Sequence, residues 1–293
     1  GGPGAPGRGS PVTPSVEFRN SVGRRFSVLV ESQNPETAGG LVAFPTETVY
    51  GLAARADSEA AVAAIYRAKG RPDFNPLIVH VDAPATARRL GRFDAMAERL
   101  AERFWPGPMT LVLPLREGAV VAPAVTAGLP TIALRLPAHP AMQALLKQVA
   151  LPLAAPSANR SGAVSPTTAD HVATSLTGRI DAILDAGPST QGLESTIAAV
   201  REGGVWQLLR PGPVPLEQLE AELGRMAPMG DRRIEAPGQL ASHYSPGKPL
   251  RLEAATAAAG EFLIGFGDIP GECNLAPDGD LAVAAARLYG CLH

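Results

Sequence analysis

The chain of 293 residues is long enough for one large domain and a smaller second one. Hydrophobic residues make up 45% of it and charged residues 18%, which is typical of a packed globular protein and excludes a disordered or coiled-coil chain. The formal net charge of -2 excludes an overall basic surface, so any site for a polyanion requires a local cluster of Arg and Lys.

The first 40 residues differ in composition from the rest of the chain. Residues 1–40 are rich in Gly, Pro, Ser and Arg, and only Phe26 to Val30 favour a strand, so we expect a flexible or atypical leader. From Leu41 onward, strand-like runs such as LVAFP and LIVHV alternate with amphipathic helical patterns such as SEAAVAAIYRAKG. The alternation predicts an α/β domain over residues 41–225 that ends in a short helix from Pro215 to Leu223.

The remaining residues predict a linker and part of a second domain. Residues 226–250 contain several prolines and glycines, which favour an extended linker. In residues 251–293, EFLIGFG predicts a strand and a helix begins after Asp280, so we expect part of a second α/β unit. The two cysteines, Cys273 and Cys291, lack zinc-site spacing and are predicted to be ordinary thiols in the cytoplasm. The sequence has no apolar run of about 18 residues, so we expect no membrane association.

The first candidate site segment is PTETVYGL, residues 45–52. It follows a predicted strand and is expected to form a turn closed by Gly51 that carries Thr46, Glu47, Thr48 and Tyr50. Binding residues are often found at such strand ends. A plain strand-to-helix turn with capping threonines explains the segment equally well.

A second candidate is KGRPDFNP, residues 69–76, at the end of a predicted helix. Lys69 and Arg71 could be simple partners of the helix dipole. The two prolines stiffen the loop, however, and the two cations together with the amide of Asn75 suit the phosphates of a nucleotide.

Two further candidates lie on predicted strands. His80 in LIVHV has apolar neighbours, and a core histidine bonded to the backbone is its commoner explanation. In TIALRLP, Thr131 and Arg135 share one side of the strand because side chains alternate with a period of two. A buried guanidinium needs an anionic partner, which could be a structural Asp or Glu or the carboxylate of a small substrate.

The segment APSANRSGAVSPTTADHV, residues 155–172, supplies Ser157 and Ser165 before a predicted helix, where hydroxyls and free N–H groups can bind an anion. An ordinary solvent loop with an N-cap is the alternative. The segments ESTI and LLRPG place Ser195 and Arg210 at strand ends, which suggests a shared cleft. The common phosphate, dinucleotide, metalloprotease and hydrolase motifs are absent, so the residues alone predict an α/β protein for a phosphorylated or carboxylated ligand.

Seven strings together resemble the threonylcarbamoyl-AMP synthase family, in the same order and at similar spacing. They are LVAFPTETVYGL, KGRPDFNPLIVHV, PTIALRLP, PLAAPSANRSGAVSPTT, ESTI, LLRPG and PGQLASHYSP. The resemblance covers residues 41–293, and the HYSP string is typical of the long form with a C-terminal domain. It implies a YrdC-like fold, with a twisted open sheet and a concave basic cavity, followed by a linker and a partial Rossmann-like domain.

The resemblance also implies the residues of the site. L-Threonine would be bound by Thr48, His80, Arg135, the backbone of Ala155, and Ser195. ATP would be bound by Lys69, Arg71, Asn75, Thr131, Ser157, Ser165, Arg210 and Tyr244. Lys69 and Arg71 would also be the catalytic residues that neutralise charge, and Tyr244 in the linker would close the nucleotide site as a lid.

The implied activity is L-threonylcarbamoyladenylate synthesis from L-threonine, bicarbonate and ATP in the cytoplasm. The resemblance implies Mg²⁺ bound mainly through the ATP phosphates, and the sequence shows no dedicated protein metal site. It further implies handover of the product to the tRNA threonylcarbamoyl transferase complex, with contact to tRNA or double-stranded RNA as an additional option.

Two other functions compete with this interpretation. The first is a double-stranded RNA-binding module of the same fold without catalysis. It would rely on distributed basic residues more than on a compact set of polar side chains. The second is carbamoyl transfer to a protein thiol, which requires zinc-finger cysteines and an acylphosphatase-like segment that the sequence lacks.

Overall fold

A computed structural model describes residues 15–19, 25–29, 40–227, 234–239 and 244–293. The strands are β1 (Ser15–Arg19), β2 (Arg25–Leu29), β3 (Val42–Pro45), β4 (Tyr50–Arg55), β5 (Ile78–His80), β6 (Met109–Pro114), β7 (Thr131–Arg135), β8 (Leu153–Ala154), β9 (Ala182–Ile183), β10 (Thr196–Arg201), β11 (Val205–Arg210), β12 (Ile264–Gly265) and β13 (Cys273–Asn274). The helices are α1 (Glu59–Lys69), α2 (Pro84–Leu90), α3 (Ala95–Phe104), α4 (Pro123–Thr126), α5 (Pro140–Val149), α6 (Ala169–Leu176), α7 (Leu216–Leu223) and α8 (Leu281–Leu292).

Nine strands form one mixed sheet in the order β11-β10-β6-β7-β5-β8-β4-β3-β9. The pairs β10–β6, β5–β7 and β3–β9 are parallel, and the other neighbours are antiparallel. Strands β1 and β2 pair with each other outside this sheet, as do β12 and β13. The predicted α/β class with one large sheet is confirmed.

The central strands are buried on both faces, and their two faces have different chemistry. Val79, Leu111 and Leu134 belong to the main apolar core together with the buried side chains of α1 and α3. The opposite face carries a smaller apolar cluster that includes Ile78 and Ala133. Because side chains alternate along a strand, this second face also receives the polar residues that lie two positions further along.

Helix α1 shows how the sequence positions the first cations of the site. The side chain of Ser58 caps its N-terminus by accepting from the Ala61 N–H, and Gly70 ends it in the left-handed conformation with φ of 61°. A glycine is favoured at this position because other residues adopt a positive φ at a cost. The helix therefore ends at Lys69, and the chain turns sharply before Arg71.

Three sequence predictions differ from the structure. The turn in PTETVYGL closes earlier than predicted, because β4 begins at Tyr50 and Gly51 lies within that strand. Strands β1, β4 and β13 and helices α2 and α4 were not predicted. Cys273 and Cys291 are disulfide-bonded with their Cα atoms 6.0 Å apart, so the prediction of two separate thiols is wrong. The cause is tertiary, since α8 folds back and brings Cys291 to β13.

Other sequence predictions are observed only in part, lie outside the described residues or are not tested. The leader strand is observed as β2, while Val30 lies outside the described residues, as does the part of the linker string at residues 240–243. The four domain boundaries and the Rossmann-like second domain remain predictions. In the part of the chain that the structure describes, no helix has the length and apolar character needed to cross a bilayer.

Candidate active site

A small, partly open polar cavity lies beside the polar face of the sheet, at the ends of several strands. Its wall consists of Thr46, Thr48, Val49, Gly51, Arg71, Ile78, His80, Arg135, Ala155, Pro156, Ser157, Glu194, Ser195, Arg210, Pro237 and Tyr244. All five residues predicted for threonine line it, as do Arg71, Ser157, Arg210 and Tyr244 from the predicted ATP set.

Strand register aligns three of the polar side chains in one row. His80 is the register partner of Arg135 in β7, and Arg135 is the partner of Thr110 in β6. The Thr110 and Ser195 hydroxyls are 2.8 Å apart, which extends the row to the start of β10. Because neighbouring strands bring paired residues into direct contact, residues more than a hundred positions apart in sequence form one polar strip.

Arg135 is held by a buried network with a carboxylate at its centre. Its guanidinium donates to Glu47 Oε1 at 2.6 Å, to Thr48 Oγ1 at 2.8 Å and to the Gly107 carbonyl at 3.2 Å. Glu47 also accepts from the His139 N–H at 3.2 Å. Burial would raise the pKa of Glu47, but the charge and hydrogen bond of Arg135 bring that pKa below its ordinary value.

The sequence left open whether the anionic partner of Arg135 is a structural acid or a substrate carboxylate. In the structure, Glu47 is this partner. The three contacts use three of the five N–H donors of the guanidinium. Two N–H donors remain, and Arg135 lines the cavity. A ligand at Arg135 would join an existing ion pair and would not neutralise an isolated cation.

His80 is a buried histidine whose two ring nitrogens form no hydrogen bond in the structure. Burial, reinforced by the charge of Arg135, lowers its pKa to about 3, so the imidazole is neutral near pH 7. An unpaired buried polar group costs about 1–3 kcal/mol, and a bound polar ligand would recover that energy. The Ile78 backbone lies close enough to raise the pKa of His80, but the geometry does not complete a hydrogen bond, so the backbone-bonded core histidine that the sequence favoured is not formed.

A second network surrounds Arg210. Its guanidinium donates to Ser195 Oγ at 2.9 Å, to the Ser195 carbonyl at 3.0 Å and to Tyr244 Oη at 2.9 Å. Burial would lower the pKa of Arg210, but Tyr244 and Glu194 raise it, so the side chain is charged. Burial raises the pKa of Tyr244 to about 12, and its phenol is therefore protonated at neutral pH.

The segment of residues 234–239 approaches Arg210 closely at one glycine. Gly238 has φ of 93°, and a Cβ atom there would lie 2.7 Å from Arg210 Cδ and 2.9 Å from Tyr244 Oη. Both the positive φ and these short distances require glycine. The backbone of residues 237–238 is therefore part of the wall beside Arg210.

The last residue of α1 and the loop after it add two buried cations. Arg71 lines the cavity and donates to the carbonyls of Asn75 at 3.1 Å and Pro76 at 2.9 Å. Burial lowers its pKa to about 10, so it remains charged at neutral pH. Lys69 donates to the carbonyls of Ser157 and Asn159. Burial and the charge of Arg71 lower the pKa of Lys69, while the surrounding oxygens favour its ammonium form as a donor.

The charges in and beside the cavity do not cancel. Among the described residues there, Lys69, Arg71, Arg135 and Arg210 oppose only two carboxylates, those of Glu47 and Glu194. The surplus is positive, although the chain as a whole has a net charge of -2. Because the chain has no overall basic charge, a site for a polyanion requires a local cluster of Arg and Lys. Such a cluster is present at the cavity, and it favours an anionic ligand.

Four predicted residues do not line the cavity. Thr131 lies at the opposite end of β7 from Arg135, about 13 Å away at 3.3 Å per residue. Lys69 is turned toward carbonyl oxygens of the loop that contains Ser157, and the Ser165 hydroxyl donates to Glu194. The amide of Asn75 is buried without a hydrogen-bond partner.

The sequence interpretation missed two carboxylates that organise the site. Glu47 was visible in PTETVYGL and Glu194 in ESTI, but neither was assigned a role. The available signal was the rule that a buried arginine needs an acidic partner. Applying the rule to Arg135 and Arg210 would have directed attention to acids in the neighbouring motifs.

Comparisons with known proteins agree with this geometry. A family model named for Sua5, YciO and YrdC and described as "Telomere recombination" matches residues 37–212. The chain belongs to this Sua5/YciO/YrdC family. The matched part contains every predicted site residue except Tyr244, which lies in the linker beyond it.

Individual members of the Sua5/YciO/YrdC family give the extent of the similarity. The threonylcarbamoyl-AMP synthase of Bacillus subtilis (strain 168) is 47% identical over 219 residues, 72% of this chain and 62% of the relative. The protein of the same name from Pyrococcus abyssi (strain GE5 / Orsay) is 48% identical over 217 residues, 71% of this chain and 62% of the relative. The chain thus spans about 62% of the length of these two curated relatives.

A solved structure of a family member extends the match beyond the sheet domain. The crystal structure of P. abyssi Sua5 complexed with L-threonine has a TM-score of 0.75 and 39% sequence identity to this chain. The match covers 86% of this chain and 81% of that one. The YciO structure from E. coli, at 21% identity and a TM-score of 0.54, shares the fold.

Proposed function

We propose that the chain is an L-threonylcarbamoyladenylate synthase. It forms threonylcarbamoyl-AMP and pyrophosphate from L-threonine, bicarbonate and ATP, for the threonylcarbamoyladenosine modification of tRNA. The observation that carries the proposal is a single cavity that combines an ion-paired arginine, a neutral histidine and two further buried arginines. The synthase names of the two relatives and the threonine complex of P. abyssi Sua5 support the assignment.

L-Threonine is assigned to the Arg135 row. Its carboxylate would accept from the guanidinium donors of Arg135 that Glu47 and Thr48 do not use. The neutral ring of His80 offers two unpaired nitrogens for the polar groups of the amino acid. Ser195 and Ala155 complete the wall on this side.

ATP is assigned to the Arg71 and Arg210 side of the cavity. Both guanidinium groups are buried, charged and adjacent to the lid residue Tyr244. Fixed cations at a developing negative charge stabilise a phosphoryl-transfer transition state without reorganisation. Ser157 lines the same region, whereas Lys69 would act through the loop carbonyls that it holds or by turning toward the phosphates.

The proposed reaction needs no protein nucleophile. The threonine amine adds carbon dioxide derived from bicarbonate, and an oxygen of the resulting carbamate attacks the α-phosphorus of ATP. The bond between the α-phosphorus and the bridging oxygen breaks, and pyrophosphate leaves with its electron pair. The protein holds the reactants in position and excludes water from the unstable carbamate, for which the Tyr244 segment is suited.

Magnesium is assigned to the substrate and not to a protein cage. Among the residues that the structure describes, no group of three or more His, Cys, Asp or Glu side chains could hold a metal ion. Mg²⁺ commonly relies on substrate phosphates and water for most of its ligands, and the positive cavity suits the phosphates that would bring it. When bound, the ion would neutralise charge on the pyrophosphate.

The remaining assignments rest on the family. Handover of the product to the tRNA threonylcarbamoyl transferase complex, contact with tRNA or double-stranded RNA, and the cytoplasmic location stay predictions. A double-stranded RNA-binding module without catalysis gains no specific support from the cavity. Its paired Arg135 and unbonded His80 suit a small ligand better than an RNA backbone.

The proposal is tested by pyrophosphate release from ATP and magnesium. Complete mixtures are compared with mixtures that omit threonine or bicarbonate and with mixtures that contain serine in place of threonine. We expect release only when all components are present, and faster release with threonine than with serine. Release that is independent of threonine would contradict the proposal.

A further inference from the structure

Glu194 is a nearly buried carboxylate in the wall of a cavity that is otherwise rich in cations. Its side chain is 12% exposed, and its Oε2 lies 3.6 Å from Arg210 Nη2. Its Oε1 accepts from the Ser165 hydroxyl at 2.5 Å. Nothing in the proposed chemistry requires an acid at this point, since the reaction uses neither a protein nucleophile nor a protein base beside the phosphates.

The two contacts of Glu194 involve residues that the family resemblance assigns to ATP. Ser165 and Arg210 each engage the same carboxylate in the structure. A phosphate group uses the same type of donor as a carboxylate, namely hydroxyl and guanidinium groups. Glu194 therefore lies where an anionic ligand would bind, and a phosphate and this carboxylate cannot both use these donors without strong repulsion.

Glu47, the other carboxylate beside the cavity, behaves differently. It forms a 2.6 Å ion pair with Arg135 and is also fixed by the His139 backbone N–H. Among the described residues, no backbone N–H donates to Glu194, and its separation from Arg210 exceeds hydrogen-bond distance, although its hydrogen bond from Ser165 is short. Glu194 is therefore held by side chains alone, and a phosphate can engage the same two side chains, whereas Glu47 is also fixed by a backbone N–H.

We infer that Glu194 is an internal counter-anion that sets the affinity of the site for phosphates. ATP and pyrophosphate displace its carboxylate from Ser165 and Arg210 when they bind, and the carboxylate returns when they leave. Glu194 thereby weakens pyrophosphate binding and speeds its release from a cluster of arginines. This inference rests on the proposed assignment of ATP to this side of the cavity.

The test measures the binding of pyrophosphate and of ATP by calorimetry without magnesium, for the wild type, Glu194→Gln and Glu98→Gln. The glutamine keeps the size of the side chain and can still contact Ser165, but it removes the competing charge. We expect Glu194→Gln to bind pyrophosphate about tenfold more tightly than the wild type. Glu98 forms an ion pair with Arg88 on the surface, away from the cavity, so the same change there should leave both affinities unaltered.

A purely structural role of Glu194 predicts the opposite sign, because a loosened site binds less tightly. Unchanged or weaker pyrophosphate binding by Glu194→Gln, with ATP still bound by the wild type, would overturn the inference alone. If neither protein binds ATP or pyrophosphate, the proposed function fails together with it.

A second measurement needs no variant and so does not depend on whether Glu194→Gln folds. In a crystal structure of the wild type with pyrophosphate, we expect the Glu194 carboxylate to have left Ser165 and Arg210. Pyrophosphate bound in the cavity with both contacts intact would overturn the inference.

Discussion

Arg71 and Arg135 are both buried arginines of the same cavity, yet their surroundings give them different roles. Arg135 has a carboxylate partner in Glu47, whereas Arg71 donates to the carbonyls of Asn75 and Pro76. A charge held by carbonyl oxygens retains more attraction for an anion than a charge in an ion pair. Replacing Arg71 should therefore affect mainly ligand binding, whereas replacing Arg135 should also affect folding.

Replacing Arg71 should affect mainly ATP. We expect Arg71→Ala to weaken ATP binding about tenfold to a hundredfold, the usual cost of losing a hydrogen bond to a charged group, with little change for threonine. Calorimetric titration with each ligand measures this. Arg67→Ala provides the matched control, because Arg67 is exposed in the last turn of the same helix. Equal losses for both ligands would contradict the division of the cavity.

Replacing Arg135 should affect stability as well as threonine binding. Arg135→Ala leaves Glu47 buried without its partner, which typically costs about 3–5 kcal/mol. The control is Arg201→Ala, whose ion pair with Glu235 is partly exposed and should contribute about 1 kcal/mol or less. Urea unfolding compares the two variants. A similar loss of unfolding free energy in both variants would contradict the greater contribution expected from the buried Glu47–Arg135 pair.

His80 should make the protein sensitive to acid. Its pKa is about 3 in the folded chain against 6.5 for an ordinary histidine, so between these values the unfolded chain binds more protons. The free energy of unfolding should therefore fall as the pH falls from about 6.5 toward 3, by about 1.4 kcal/mol per pH unit from this residue. His80→Gln removes this contribution. Urea unfolding at several pH values should give a shallower slope for the variant, and identical slopes would contradict a neutral buried His80.

At the scale of elements, the helix α8 packs against Tyr244 in the cavity wall. The ring centroids of Tyr289 in α8 and Tyr244 are 5.9 Å apart, and Val49 and Val164 share their apolar cluster. Gly192 permits the approach of α8, because a Cβ atom at this residue would lie within 1.9 Å of the Ala286 carbonyl oxygen. Tyr244, the residue predicted to act as a lid, is therefore supported by a segment that the sequence interpretation placed in a separate domain.

Removing this support should open the lid. Tyr289→Ala should weaken ATP binding about threefold to tenfold, since aromatic pairs contribute about 0.5–1.5 kcal/mol beyond their buried area. Tyr289→Phe keeps the ring and should bind ATP as the wild type does. Fluorescence or calorimetric titration with ATP distinguishes the two variants, and equal affinities for both would show that the stacked ring does not support Tyr244.

Most elements of the main sheet could be predicted, because their signals are local. The helix α1 has both its cap and its terminating glycine in the sequence, and β6 and β7 have continuous apolar runs bounded by prolines. The contacts between elements could not be predicted in the same way. The Glu47–Arg135 pair, the position of Tyr289 and the Cys273–Cys291 disulfide all depend on how distant segments pack.

In the candidate site, too, the motifs could be predicted from the sequence, but the contacts between distant segments could not. Motif resemblance identified nine residues that line the cavity, but it also included Thr131, which is separated from Arg135 by the length of β7. It missed Glu194, whose importance comes only from its contacts with Ser165 and Arg210. Residue identity and order predict which motifs form a site, and three-dimensional packing decides which side chains face the ligand.

At the scale of the whole molecule, the central claim is that one cavity joins threonine, a carbon from bicarbonate and the AMP part of ATP. The most direct measurement is mass spectrometry of the products formed from ATP, threonine, magnesium and ¹³C-bicarbonate. We predict threonylcarbamoyl-AMP that carries the ¹³C label, together with pyrophosphate, and loss of this product when threonine is omitted. ATP turnover that yields AMP or ADP without a labelled threonylcarbamoyl product would contradict the account.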